Sequence, residues 1–272
     1  MYVNLKAASE NFQGASRTIQ PVTLVGGRAA SCLDLDIVAE RLPGQPLSYR
    51  LQDSTTSRIL FQISWNDLED RLKRAMLAYF YEDYARIKEH LVFRKVYGYA
   101  TRPVSYLKNG ALVQVECGTF PCMTCGIILP DHLITIDHHK PQQGGEALAL
   151  LKVFRACGWT LKGPWGVLGR TYQEHAGQSW IDLATAIMDT SRWPGIQPGV
   201  STVHDLDYED RHTLNSEGIL IHSVLVWSGD IARVTQNCMD SLLNLKPLCL
   251  SCNASKGKKI LGEHTPGTDD DG

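Results

Sequence analysis

Two Cys-x-x-Cys steps, Cys122-Met-Thr-Cys125 and Cys249-Leu-Ser-Cys252, constrain this chain more than any other feature. A CxxC step turns two sulfurs toward one point, and two such steps complete the four-ligand shell of a closed tetrahedral zinc site. The steps are 123 residues apart, far beyond the spacing of a compact zinc ribbon. A metal held by both must therefore clip distant parts of the chain together around a large excursion. A thioredoxin-like centre expects a helix directly after its CxxC, whereas Gly126 and an apolar run follow the first step here. A pair of disulfides is the remaining competitor.

The chain has eight cysteines in 272 residues, too few for a disulfide-dense secreted scaffold. Cys32, Cys117, Cys157 and Cys238 sit in apolar or helical contexts and read as packing residues. Cys117 is close enough to the first step to be a substitute ligand. A hydrophobic fraction of 43% and a charged fraction of 21% are globular values that exclude collagen, coiled coil and wholesale disorder. The net charge of −2 excludes a bulk polycation. The N-terminus lacks the apolar run of a signal peptide, and no apolar stretch reaches a membrane span, so the expectation is a cytoplasmic protein with no membrane partner.

Local patterns predict mixed secondary structure. Short strands are expected at 22–25 and 59–63. A long amphipathic helix is expected over 66–91, with Asn66 as cap and Glu69 reaching back. Strands are expected at 92–99 and 111–117, joined through Asn109-Gly110. Residues 147–157 read as a buried helix stopped by Gly158, and 179–190 as a second helix. The apolar run 219–227 reads as a buried strand, and Ile231, Val234, Cys238 and Leu242 have helical spacing after Asp230. The acidic cluster 205–212 reads as a solvated loop, and Trp159, Trp165, Trp180 and Trp193 as loop packing.

Chemistry-bearing residues gather beside the two knuckles. After the first come Leu133-Ile-Thr-Ile-Asp137-His138-His139-Lys140-Pro141 and then Gly144-Gly145; the second lies within Asn244-Leu-Lys-Pro-Leu248-Cys249-Leu-Ser-Cys252-Asn253-Ala-Ser-Lys256-Gly257. This combination resembles the HNH endonuclease family, also called ββα-metal or His-Me finger nucleases, over residues 122–145 and 244–258. The resemblance implies an α+β fold: a ββα-metal core stapled by zinc, with a large insertion and a separate N-terminal α+β region. The expected division is 1–110 for the N-terminal region and 111–262 for the nuclease domain. The latter has its core at 117–145 and 240–260 and a helical or mixed insertion at 146–239. A disordered tail is expected at 263–272.

The resemblance also implies roles. His138 matches the general base, and neutral imidazole suits that task near pH 7. Asp137 and Asn253 match the ligands of a catalytic divalent metal, and their hard oxygens suit Mg²⁺. Asn244 matches the asparagine bracing the loop that bears the base. Lys256 matches a basic position at the phosphate backbone, and His139 is a candidate substrate contact. A shifted frame would make His138 a ligand and His139 the base. Cys122, Cys125, Cys249 and Cys252 hold structural zinc. The expectation is a metal-dependent endonuclease acting on double-stranded DNA, in the setting of a bacterial antibacterial toxin or effector delivered to a target cell and paired with an immunity protein. Alternatives are a phage-defence or restriction nuclease, and an inactive zinc-stabilised nucleic-acid-binding module. The sequence departs from the pattern in one respect: 102 residues separate Pro141 from Asn244. Lys152, Arg155, Lys162 and Arg170 in that insertion, with Lys246, Lys258 and Lys259 near the site, would give local positive charge.

Overall fold

The computed structural model describes residue 12 and residues 15–25, 28–79, 84–139, 145–161 and 213–256. The expected helix at 179–190, the loop at 205–212 and the tail lie outside these, as do Lys140, Pro141, Trp165, Trp180, Trp193, Lys258 and Lys259. The described residues form a mixed α+β structure with small sheets and six α-helices.

The N-terminal region is antiparallel sheet. β1 (Ser16–Ile19) is followed by the β2 (Val22–Val25) and β3 (Arg28–Ser31) ribbon, then β4 (Leu35–Glu40), β5 (Ser48–Asp53) and β6 (Ile59–Ser64). The main sheet has the order β1-β4-β5-β6. Its burial alternates along the strands, with Ile37, Ala39, Tyr49, Leu51 and Ile63 inward, as a half-covered sheet requires. On the other face Arg50 pairs with Glu40 at 3.5 Å.

Helix α1 (Trp65–Tyr79) starts one step earlier than Asn66. The Ser64 hydroxyl accepts the Asp67 N–H at 3.2 Å and donates to the Asp67 carboxylate, so Ser64 and Asp67 close the N-terminus in place of Asn66 and Glu69. The predicted single helix to residue 91 is interrupted. A 3₁₀ turn at Tyr84–Glu89 precedes a separate helix, α2 (Leu91–Val96).

Helix α2 replaces the strand expected at 92–99. Val92, Phe93 and Tyr97 are buried, and Val96 packs against the same core, which is one face of a helix. Gly98 then turns the chain with φ of +65°. β7 (Ala100–Lys108) and β8 (Ala111–Pro121) follow as a hairpin. Asn109 and Gly110, both at positive φ (51° and 80°), form its two-residue turn as expected. The expected boundary at residue 110 thus falls in the tip of a hairpin. β9 (Ile128–Pro130) completes this sheet.

β10 (Ile134–His138) leads to the inserted section, where α3 (Glu146–Ala156) is buried from Ala149 onward and ends at Gly158, as its apolar run predicts. Lys152 and Arg155, expected to lend the insertion surface charge, are instead fully buried. β11 (Thr160–Leu161) pairs with β12 (Thr213–Leu214). Trp159 is buried, with its ring edge-on to Phe154 at 5.0 Å, so it packs.

The strand expected at 219–227 is helix α4 (Ser216–Ser228). An apolar run alone fits either state. The ends decide: Asn215 accepts the Gly218 N–H at 2.9 Å, and Gly229 closes the helix at φ +79°. A side chain at Gly218 would strike the Trp159 carbonyl, so helix and ribbon meet in close approach there. Helix α4 packs on the N-terminal sheet. Its Ser223 hydroxyl accepts the Val22 N–H at 2.8 Å, and His222 Nδ1 lies 3.0 Å from the Val22 carbonyl. One buried cluster runs from the N-terminal sheet through α1, α2, α3, α4 and α5 (Ile231–Met239). β13 (Leu245–Cys249) and α6 (Leu250–Lys256) end the described chain. Among the described residues, no helix is long and apolar enough to cross a membrane.

A candidate metal centre and the strand end beside it

β10 and β13 pair antiparallel, with Ile134 opposite Cys249 and His138 opposite Leu245, and α6 continues directly from β13. Two strands distant in sequence thus sit side by side with a short helix packed against them. The four knuckle cysteines meet at one end of this unit.

The ligand atoms of Cys122, Cys125, Cys249 and Cys252 all lie within 4.8 Å of one another. Cys125 Sγ and Cys249 Sγ are 3.9 Å apart, too far for a disulfide. A tetrahedral ion with metal–sulfur bonds of about 2.3 Å needs sulfurs roughly 3.8 Å apart. All eight cysteines are unbridged, which removes the competing disulfide reading of the two steps. Each knuckle has its own backbone support. Gly126, at φ +74°, donates its N–H to the Cys122 carbonyl at 2.8 Å, and Cys252 N–H points at Cys249 Sγ at 3.4 Å. Met123 N–H bonds the Pro247 carbonyl at 3.0 Å, joining the first knuckle to the strand of the second.

Burial opposes ionisation of Cys122. Against it, the main-chain N–H groups of Cys125, Cys249 and Thr124 and the Cys125 thiol bond its sulfur, and its pKa falls to about 6. Cys252 moves the other way, to about 12, first through its bond to the Cys249 sulfur, then through burial and the remaining sulfurs. The Cys122 thiolate forms readily, and Cys252 resists a second negative charge beside it. A bound cation removes that conflict. Cys117, Cys32, Cys157 and Cys238 are not part of the cluster. Cys157 and Cys238 are buried thiols whose pKa values burial raises.

Thr135 and Asp137 occupy alternate positions of β10 and so share a face, which α6 covers. Asn253 Nδ2 donates to Thr135 Oγ1 at 3.0 Å, and the Lys256 ammonium donates to Asp137 Oδ2 and to the His138 carbonyl. Asp137 and Asn253 are therefore brought to one strand–helix face. Lys256 is not at the surface as expected of a phosphate contact; it is buried and serves as the counter-charge of Asp137.

His138 is the last residue of β10, with a side chain 10% exposed. Its Nε2 lies 3.0 Å from Asp240 Oδ1. His139 is buried, where Lys246 Nζ contacts its Nδ1 at 2.9 Å, so its expected position at substrate gives way to an internal contact. Asn244 braces this end of the strand twice. Its carbonyl accepts the His139 N–H at 2.6 Å, and its Nδ2 donates to the Met239 carbonyl at 3.0 Å.

Asp240 is the residue that sequence reasoning missed. It stands outside both motifs, and an aspartate after an amphipathic helix carries no spacing signal. Its only cue was position, four residues before Asn244. Comparison of the chain with protein-family models, curated proteins and solved structures finds no match.

Proposed function

We propose that this protein is a metal-dependent endonuclease whose four clustered cysteines hold a structural zinc, and which hydrolyses phosphodiester bonds of nucleic acid, most simply double-stranded DNA. The observation that carries the reading is that β10 bears Asp137, which shares a strand–helix face with Asn253, and next to it His138 at the strand end, in the unit whose other end carries the four-cysteine cluster. A general base and a pair of hard-oxygen donors are what phosphodiester hydrolysis requires.

The donor chemistry of Asp137 and Asn253 fits a divalent ion of the Mg²⁺ class, which binds few protein oxygens and completes its shell with water and phosphate. Asp137 keeps a side chain 16% exposed, and the Asn253 amide is turned by Thr135 through its nitrogen, leaving its oxygen as the donor. Bound there, such an ion supplies positive charge to the scissile phosphate and the leaving oxygen. His138 takes the proton from the attacking water, whose oxygen forms the new bond to phosphorus as the bond to the leaving oxygen breaks. Asn244 fixes the turn behind His138, and Lys256 holds the Asp137 carboxylate against α6. The zinc staple keeps β10 and α6 in register.

The second reading is the inactive nucleic-acid-binding module, and one observation favours it: buried Lys256 already neutralises Asp137. The two readings separate in a plasmid-cleavage assay with Mg²⁺ or Mn²⁺, run on wild type and His138→Ala. The nuclease reading expects cleavage by wild type, a loss of about 100-fold or more in the variant, and unchanged zinc content. Equal cleavage by both, or none by either with several metals, would overturn it. A parallel assay on RNA decides the preferred nucleic acid, and toxicity on expression tests the toxin setting.

A further inference from the structure

We infer that Asp240, at the point where the inserted section rejoins the core, is a positioning residue that fixes the ring and tautomer of His138. The inference rests on the nuclease reading for its consequence and on geometry for its content. Asp240 Oδ1 lies 3.0 Å from His138 Nε2, and its other oxygen accepts the Gln236 side-chain amide at 3.0 Å. Both carboxylate oxygens are thus committed. Asp240 caps helix α5, and its own N–H bonds the Gln236 carbonyl at 3.2 Å. The neighbouring Met239 carbonyl is held by Asn244, whose own carbonyl holds His139 N–H. The circuit from His138 through Asp240 and Asn244 back to His139 ties the end of β10 to the end of α5 by side-chain and main-chain bonds together. Met239 and Asn244 are each 1% exposed, so the frame behind the ring is packed.

The chemical consequence follows from what a carboxylate does. It only accepts, so the imidazole must place its proton on Nε2 and its lone pair on Nδ1. Nδ1 is then the nitrogen that takes the proton from water. When it does so, the ring becomes imidazolium beside a carboxylate that stabilises it without itself being protonated, the division of labour seen in acid–histidine pairs generally. Gln236 holds the carboxylate in the plane that makes this contact.

The test uses full-length, zinc-loaded protein and two variants, Asp240→Ala and Asp240→Asn. Imidazole ¹⁵N shifts of His138 report the tautomer without any activity. In wild type, Nε2 is expected at a proton-bearing shift and Nδ1 at a lone-pair shift; in Asp240→Ala the two should move toward averaged values. Single-turnover plasmid cleavage is expected to fall about 10- to 100-fold in both variants, with plasmid affinity, zinc content and melting temperature unchanged. An unaltered ¹⁵N pattern in Asp240→Ala overturns the inference, whether or not the rate falls, because a rate loss alone would then be structural. A cleavage rate within twofold of wild type also overturns it. A wild type that never cleaves, yet loses its fixed tautomer in Asp240→Ala, leaves the assignment standing and removes the nuclease reading instead.

Discussion

In the N-terminal sheet, Ile37, Ala39, Tyr49 and Leu51 are wholly shut from solvent, and Leu68 and Leu72 of α1 close over the same core. Around the knuckles the buried apolar cluster of described residues contains Cys122, Leu248 and Cys249, with Met123, Leu129 and Cys252 at its margin. Full burial of one large aliphatic side chain stabilises by about 1.5–3 kcal/mol. The sheet has many such residues and needs nothing else. Among the described residues the knuckle itself has few, although Ile134 and Leu245 of the adjoining strands belong to the larger core, and it must also hold sulfurs that repel one another once ionised. The proposed structural zinc would offset both deficits, since zinc sites contribute on the order of 10 kcal/mol of apparent binding free energy. On the zinc reading the lesson is a division of labour: apolar area builds the body of the molecule, and coordination at the four-cysteine cluster would build the end where precise registry of β10, β13 and α6 is required.

The largest expected effect is on the metal side. Cys249→Ser should abolish stoichiometric zinc and expose the amides of β10, β13 and α6 to rapid hydrogen exchange, while β4 and β5 stay protected. Mass-spectrometric hydrogen exchange reads both regions at once. Uniform loss of protection would break the comparison, because it would mean that the two ends are one cooperative unit held by the metal.

The converse change comes next. Leu51→Ala should cost about 2–5 kcal/mol, seen as a lower urea midpoint, with full zinc occupancy in the folded protein. A loss of zinc in folded Leu51→Ala would show that the sheet also sets the knuckle geometry.

A smaller effect sharpens the contrast through pH. Burial lowers the pKa of His222, against a smaller upward contribution from its bond to the Val22 carbonyl. Its folded pKa is therefore below the ordinary value near 6.5. The stability it contributes is complete above that value and is lost as pH falls through it toward the folded pKa. The urea midpoint should fall between about pH 7.5 and about pH 5.5, and fall less in His222→Leu. An equal fall in both proteins would assign the acid sensitivity elsewhere, with the knuckle thiolates as the first suspects.

The two regions also differ in how plainly the sequence speaks. The knuckles were legible because CxxC spacing is itself the geometry of coordination, and the clustering of four sulfurs follows from it. Asp137 and Asn253 were singled out only through the family resemblance, and the structure brings them to one strand–helix face. Secondary structure was less so where composition and spacing disagree. Val92, Phe93, Val96 and Tyr97 are β-branched or aromatic, which suggested a strand, but their i, i+1, i+4, i+5 spacing is a helix face. In residues 219–227 every position but His222 is apolar or small, which erases periodicity, and only Asn215 and Gly229 mark the ends of a helix. Lys256 was misjudged because a lysine near a phosphate site and a lysine neutralising a buried aspartate look identical in sequence. Asp240 was invisible because its contact with His138 depends on where α5 ends in space.

The most direct measurement of the central claim is native mass spectrometry of the full chain purified without added metal. The account predicts one zinc per chain with four thiols deprotonated, lost in Cys249→Ser. A metal-free mass with four reduced thiols, or two disulfides among Cys122, Cys125, Cys249 and Cys252, would contradict it.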